Sequence, residues 1–366
     1  MEKKKLKVSF LLPGKGRSGA VRSTVRVGNE LLLRGHDVRI FCRYDLCDLR
    51  DKLRRIYIKL RCGSGNDWLT TFKGNRFVYN KLHINEFSPD ELIISMCSQT
   101  TLDMRSLPGN TGIKVLYCRG AEIENREQIL KAWELPFSKL ITSSHLAELI
   151  RTEAKQPVIG IVPNGVDTKE YFPSMPESER TGIGSIFGWS KSKDPTSIVQ
   201  VMKMIGQRLP NSPRYLFSGA RKPRGIKGVS FKRFPSLQEA RRIYSSCRVW
   251  FLCSIAEGFG NPILEAMACG CAVVSTACGG PEDIIKDGEN GFLVDVGNTQ
   301  AMAHKIILLY KNEQLRKKIC ANAMKTVQEY SWPKAVDKLE KCLLSIYANN
   351  SRTTTRLYAY RGTAMV

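Results

Sequence analysis

Two doubly wound parallel α/β domains facing one another across a cleft are predicted by three observations. Short β-rich apolar runs alternate with longer helical patterns along the whole chain, the pattern restarts after Asn164-Gly165, and 366 residues are long for a single core. Parallel strands joined by crossover helices put their ligand site at the carboxyl ends of the strands, so the cleft is where chemistry is expected.

In the first half, strands are expected at Lys7–Leu12, Val38–Arg43, Leu92–Met96, Lys114–Cys118, Leu140–Ser143 and Val158–Val162, with helices at Ser23–Leu33, Glu124–Trp133 and Leu146–Ala154. After Asn164-Gly165, strands follow at Gly184–Phe187, Tyr215–Ser218, Val249–Cys253, Ala272–Ser275 and Gly291–Val294, with helices between them. Helical patterns at Thr299–Tyr310, Gln314–Tyr330 and Lys334–Ile346 close the chain, and residues 349–366 read as a loose tail because they are polar and lack periodicity. This places an N-terminal domain at 1–168, a C-terminal domain at 169–331 and a last helix at 332–348.

Composition narrows the function classes. Twelve cysteines lie scattered with no CxxC pair, and the first apolar run ends at Pro13-Gly14, too short for a signal-peptide core or a membrane span. A cytoplasmic protein with reduced thiols is expected. The net charge of +23 is concentrated in the first third, where Arg17, Arg22, Arg26, Arg34, Arg39, Arg43, Arg50, Lys52, Arg54, Arg55, Lys59 and Arg61 meet few acids. Such a half attracts anionic surfaces; with no aromatic-rich RNA motif, zinc finger or basic heptad helix, peripheral contact with anionic membrane ranks above nucleic acid, and plain solubility is the bland alternative. Leu46, Leu49, Leu53, Ile56 and Leu60, at helical spacing among basic residues, suit a membrane surface or an ordinary packed helix equally. The four histidines show no metal-ligand spacing.

The most informative segment is EGFGNPILE, Glu257 to Glu265, two carboxylates around a glycine turn directly after an apolar run. Asn261 is a good N-cap and Pro262 suits the first helical position, so a helix is expected to start here and end at a Gly270 C-cap. First-turn amides attract anions, and Gly258 and Gly260 let a ligand approach the backbone. Glu265 falls away from the face made by Ile263, Leu264 and Met267, and the capping-box position is Leu264. It is therefore either a solvated surface glutamate or a carboxylate facing a ligand.

The stretch Glu257–Val294, EGFGNPILEAMACGCAVVSTACGGPEDIIKDGENGFLV, resembles the signature region of the retaining GT-B glycosyltransferases of the family-4 type. Pro163-Asn164-Gly165-Val166-Asp167 with Phe172 resembles the family's inter-domain segment, and Arg34-Gly35-His36-Asp37-Val38 its turn into the second strand. The similarity covers most of the chain and weakens at 45–90 and after 349. It implies GT-B architecture, two Rossmann-like domains, and transfer of a sugar from a nucleoside-diphosphate donor to a hydroxyl of a glycan or lipid-linked acceptor, with retention of configuration. No cofactor is implied; the nucleotide sugar is the substrate. Glu257 and the Phe259-Gly260-Asn261 backbone would then hold the sugar, the Ile263 amide and Lys193 the diphosphate, and Glu265 the ribose.

The departing diphosphate needs its charge stabilised by a metal held by acids or by fixed donors. There is no Asp-x-Asp motif, which favours the helix start and basic side chains. The family's arginine and lysine at the start of the second domain fall on Trp189 and Lys193; Lys191 or Arg22 is the expected substitute for the arginine, and a solvated loop is the alternative for both lysines. Ser18-Gly19 stands where the family carries a glycine-glycine loop. After Val115–Cys118 the family places a histidine, whereas this chain has Arg119-Gly120-Ala121-Glu122. Glu122 is the candidate for that polar role, or else a surface glutamate opening a helix. His36 is expected to be structural. Two other classes fit the same features: a nucleotide-sugar 2-epimerase of this architecture, and a non-enzymatic polyanion-binding or membrane-binding protein on a degenerate scaffold.

Overall fold

The computed structural model describes residues 4–14, 18–43, 68–120 and 125–362, with side chains described to residue 350. The first domain is a seven-stranded parallel sheet in the order β3-β2-β1-β4-β5-β6-β7, with β1 at Lys7–Leu12, β2 at Asp37–Arg43, β3 at Asn75–Tyr79, β4 at Leu92–Ser95, β5 at Ile113–Cys118, β6 at Ser138–Ile141 and β7 at Gly160–Ile161. The second is a six-stranded parallel sheet ordered β10-β9-β8-β11-β12-β13: β8 Gly182–Ile186, β9 Arg214–Ser218, β10 Val229–Arg233, β11 Cys247–Leu252, β12 Ala272–Thr276 and β13 Phe292–Val294. Strand order reverses between β1 and β4 and again between β8 and β11, so each sheet opens a crevice beyond the carboxyl ends of its central strands. The fold is GT-B, as the resemblance implies.

The crossover helices of the first domain are α1 (Gly19–Leu33), α2 (Ser98–Arg105), α3 (Arg126–Trp133) and α4 (Ser144–Glu153). Those of the second are α5 (Pro195–Arg208), α6 (Leu237–Ser246), α7 (Asn261–Ala268), α8 (Gly280–Ile284), α9 (Thr299–Lys311) and α10 (Glu313–Glu329), followed by α11 (Trp332–Gly362). Local chemistry starts several of them: Ser18 caps α1 by accepting from the Val21 amide, Asp194 caps α5 with Pro195 in its first turn, and Ser236 and Glu239 form a capping box on α6.

Three elements lie outside the pattern expected from sequence. β3 and β10 are edge strands with mostly unburied side chains, so their apolar alternation is weak. α2, SQTTLDMR, packs Thr100, Thr101 and Met104 inward and presents little apolar periodicity. The end of the chain also differs: α11 continues to Gly362 where a loose tail from 349 is expected. Nothing between Pro333 and Gly362 forbids helix, since the stretch contains neither proline nor glycine.

The two domains are joined twice, side by side. The Val166 amide donates to the Tyr330 carbonyl at 2.7 Å, and Gly165 lies so close to Trp332 that a Cβ would sit 2.5 Å from its nitrogen. α11 then returns to the first domain, burying Val336, Leu339, Leu343 and Ile346 in the same core as Leu6, Val8, Phe10 and Leu31. Arg34 fastens it, donating to Asp337 at 2.7 Å, to Glu340 at 2.9 Å and to the Pro333 carbonyl at 3.1 Å. His36 is structural: Nδ1 accepts from the Leu6 amide, and Nε2 meets Glu340 at 2.9 Å.

The basic first third looks different once folded. Arg22, Arg26, Arg34, Arg39 and Arg43 are all paired with carboxylates. Arg17, the cations from Arg50 to Arg61 and the Leu46–Leu60 pattern lie outside the described residues. No described helix is long and apolar enough to cross a membrane, and the described cysteines are free thiols.

Candidate active site

Turns after β1, β5, β8 and β11 meet in the cleft, together with the inter-domain segment. They enclose a cavity of about 350 Å³ whose wall includes Gly19, Arg22, Arg119, Lys193, Glu257 and Asn261. A second cavity of about 440 Å³ adjoins it past Arg22, Tyr171 and Glu265, running between Trp68 and the Gly219 and Phe234–Leu237 turns.

Glu257 follows β11 and is held from three sides. It takes hydrogen bonds from the Ser254 hydroxyl at 2.7 Å and from the Lys193 ammonium, while its backbone pairs with Gly279 across the sheet end. Lys193 thereby points into the cavity from the β8 turn, held in place by an anion that is itself nearly buried. Lys191, two residues earlier, is exposed and outside the cavity wall. Trp189 also faces away, 57% exposed, stacked edge-on to Phe187 at 5.0 Å and donating its indole N–H to the Arg221 carbonyl. The cation expected from the β8 turn therefore comes from Lys193.

The start of α7 differs from expectation in two ways. The N-cap is Gly260, in the left-handed conformation with φ +103°, and Asn261 is already helical. A β-branched or bulky residue at 260 would be strained there, so the glycine sets the turn. The Ile263 amide is spent on the Gly260 carbonyl at 2.9 Å, and Pro262 carries no N–H, so the diphosphate cannot rely on Ile263. Asn261 faces the cavity and its side-chain oxygen accepts from Asn164 at 3.0 Å, tying the helix start to the inter-domain segment.

Gly258 lines the cavity and has a second purpose besides ligand approach. A Cβ there would lie 1.9 Å from the Arg119 carbonyl oxygen, and the Gly258 carbonyl accepts from the Thr142 hydroxyl at 3.1 Å. The glycine lets the two domains touch, backbone to backbone. Gly280 does the same within the second domain, where a Cβ would lie 2.2 Å from the Phe259 Cα. Phe259 is consequently buried, packing on Tyr330 at 5.7 Å, and only part of it lines the cavity.

Glu265 faces the cleft from the second turn of α7, but it is already engaged. One oxygen accepts from Arg22 of α1 at 2.9 Å and the other from the Tyr244 hydroxyl at 3.0 Å. Arg22 also donates to Glu170 at 3.0 Å and to Tyr171 at 2.9 Å, and lies over the Trp68 and Tyr171 rings. Burial pulls the Arg22 pKa down, but the charge of Glu265 and the bonds to Glu265 and Tyr171 more than offset it and raise it. Burial and the neighbouring Glu265 raise the Tyr171 and Tyr244 pKa values, keeping both hydroxyls neutral. Sequence reasoning could name Arg22 as able to cross the cleft, but its partners Glu170, Tyr171 and Glu265 lie too far away in sequence to be read as one cluster.

On the first-domain side, Ser18 caps α1 and Gly19 lines both cavities. Glu122 lies outside the described residues. Arg119, directly after β5, is the residue that sequence reasoning passed over: it stands where the resembled family has histidine, and it lines the cavity wall opposite Glu257.

Residues 193–326 match the family model described as glycosyl transferases group 1. The second domain is a glycosyl transferases group 1 domain. Its match begins at Lys193 and contains the whole Glu257–Glu265 motif. The uncharacterized glycosyltransferase MJ1178 of Methanocaldococcus jannaschii is 35% identical over 106 residues, 29% of this chain and 30% of that protein. EpsD of Bacillus subtilis is 25% identical over 268 residues, 62% of this chain and 68% of its own length. Among solved structures, Anabaena HepE in complex with UDP-glucose superimposes with a TM-score of 0.72 at 16% identity, covering 93% of this chain and 100% of that one. The family model thus covers part of the second domain, and the two-domain likeness is one of fold.

Proposed function

We propose that this protein is a glycosyltransferase that moves a sugar from a nucleoside-diphosphate donor to a hydroxyl of a glycan or lipid-linked acceptor, with retention of configuration and without a metal ion. The observation that carries the proposal is the inter-domain cavity, where a lysine braced by Glu257, a glycine-started helix and Glu265 converge at the carboxyl ends of both sheets. The group 1 domain and the UDP-glucose complex of the HepE structure support it.

In this reading the second cavity takes the nucleoside and the first takes the diphosphate and sugar. Glu265 accepts from the ribose hydroxyls with the lone pairs left over from Arg22 and Tyr244, since a carboxylate has about four such sites. Lys193 stabilises the departing diphosphate. The acceptor hydroxyl attacks C1 on the face of the leaving group: the C1–O(phosphate) bond breaks, the C1–O(acceptor) bond forms on the same face, and the acceptor proton passes to the departing phosphate oxygen. Fixed charges facing that oxygen act only as charge develops, which is how they lower the barrier.

Calorimetry with UDP, GDP, ADP and their sugars identifies the donor, and Glu265→Ala is expected to weaken the best of them about tenfold or more, the worth of one or two hydrogen bonds to a charged group. Unchanged affinity in a folded variant sinks the ribose assignment. Turnover with acceptor in excess EDTA tests metal independence. Conversion of the donor in the absence of acceptor would identify an epimerase instead.

A further inference from the structure

Three cations line the inner cavity, and two of them are neutralised. Arg22 is paired with Glu265 and Glu170, and Lys193 with Glu257. Arg119 has no carboxylate partner among the described residues. Its guanidinium lies over the Tyr117 ring at 4.4 Å, and Nη1 donates to the Ser23 hydroxyl in the second turn of α1. The Nε and Nη2 atoms are buried, and neither has a hydrogen-bond partner. These two N–H groups form one edge of the guanidinium fork, the edge that meets two oxygens of a carboxylate or phosphoryl group in parallel. A buried charged edge left open costs stability, so it calls for a ligand. Burial accordingly lowers the Arg119 pKa, with Tyr117 working against it.

Resting on the donor reading above, we propose that Arg119 is the anion receptor of the cleft, its Nε–Nη2 edge binding two oxygens of one oxyanion on the substrate. Two parts of a substrate carry that chemistry: the donor's diphosphate, for which the β8 turn lacks its arginine, and a carboxylate on the transferred sugar. Tyr117 and Ser23 hold the fork in place from behind, so the position selects for an anion and against a neutral hydroxyl.

The experiment compares wild type with Arg119→Gln and Arg119→Lys, using thermal shift and calorimetry with inorganic pyrophosphate, UDP, UDP-glucose and UDP-glucuronate. With no ligand, Arg119→Gln is expected to melt at or above the wild-type temperature, because it removes an unsatisfied buried charge; a merely structural arginine would melt lower. Binding is expected to fall at least tenfold in both variants, since lysine keeps the charge but loses the fork. Equal losses for pyrophosphate, UDP and UDP-glucuronate assign the edge to the diphosphate; a loss confined to UDP-glucuronate assigns it to a sugar carboxylate. Variants that bind all four ligands within twofold of wild type overturn the inference and leave the glycosyltransferase reading standing. Wild-type protein that binds pyrophosphate but no nucleotide overturns the donor reading and leaves Arg119 testable through pyrophosphate. Should Arg119→Gln fail to fold, Ser23→Ala, which frees Nη1 and unseats the fork, is expected to weaken the same ligands.

Discussion

Gly258 has no room for even a methyl group, because the Arg119 carbonyl occupies the space where its Cβ would be. Backbone cannot yield as a flexible side chain can, so Gly258→Ala must push the domains apart. The expected result is a larger radius of gyration by X-ray scattering and loss of turnover, with helix content retained by circular dichroism; an unchanged radius with full turnover would show that the contact is dispensable. Sequence reading found the glycine but not this contact, since the motif shows that backbone must be approached but not by what. Glu265 shows the complementary case. Its exclusion from the core face was legible in a helical wheel, whereas its bond to Arg22 joins residues 243 apart and becomes visible only once both domains are folded. Local periodicity carries the first kind of information; long-range pairing carries the second.

At the scale of elements, the buried strands and amphipathic helices were legible because burial on both faces leaves long apolar runs. Edge strands β3 and β10 were not, because half-solvated positions accept any residue. α11 was read as a helix but not at its full length. Its docking rests on Arg34 as much as on apolar contact, and Arg34→Ala would take a charged partner from Glu340 in a nearly buried site. A loss of about 2–3 kcal/mol in urea unfolding is expected, and a loss under about 0.5 kcal/mol would show that apolar packing alone holds the helix. β6 supplies a pH-dependent counterpart. The Lys139 ammonium, almost wholly buried, donates to the Leu135 and Phe137 carbonyls and to Gln156, and burial pushes its pKa down to about 8. Because this folded value lies below the unfolded one of about 10.4, the native state releases its proton first, and the burial cost is present in full below pH ~8 and fades as pH rises. Wild-type stability is expected to climb relative to Lys139→Met by about 1–3 kcal/mol between pH 8 and 10.5; parallel curves would refute it.

Across the whole molecule, net charge alone does not tell which cations are free. A charge of +23 suggested a basic face, yet Arg22, Arg26, Arg34, Arg39 and Arg43 spend themselves on internal carboxylates, and two of them, Arg22 and Arg26, reach acids of the second domain. Charge counts ignore pairing partners contributed by the other half of the chain. Salt is therefore expected to act on the closure of the cleft: raising ionic strength should weaken the partly solvated Arg26–Glu170 and Arg22–Glu170 pairs and enlarge the scattering radius slightly, whereas a radius independent of salt would place closure on the backbone contacts alone.

The return of α11 to the first domain sets an order of events during synthesis. Val336, Leu339, Leu343 and Ile346 belong to the core of the first domain but leave the ribosome after the entire second domain. At about 5–20 residues per second, the roughly 170 residues between the two take on the order of ten seconds to several tens of seconds to emerge. Throughout that interval the strand core around Leu6, Phe10 and Leu31 waits with one wall missing, exposed to chaperones and proteases, and only translation of the last helix closes it.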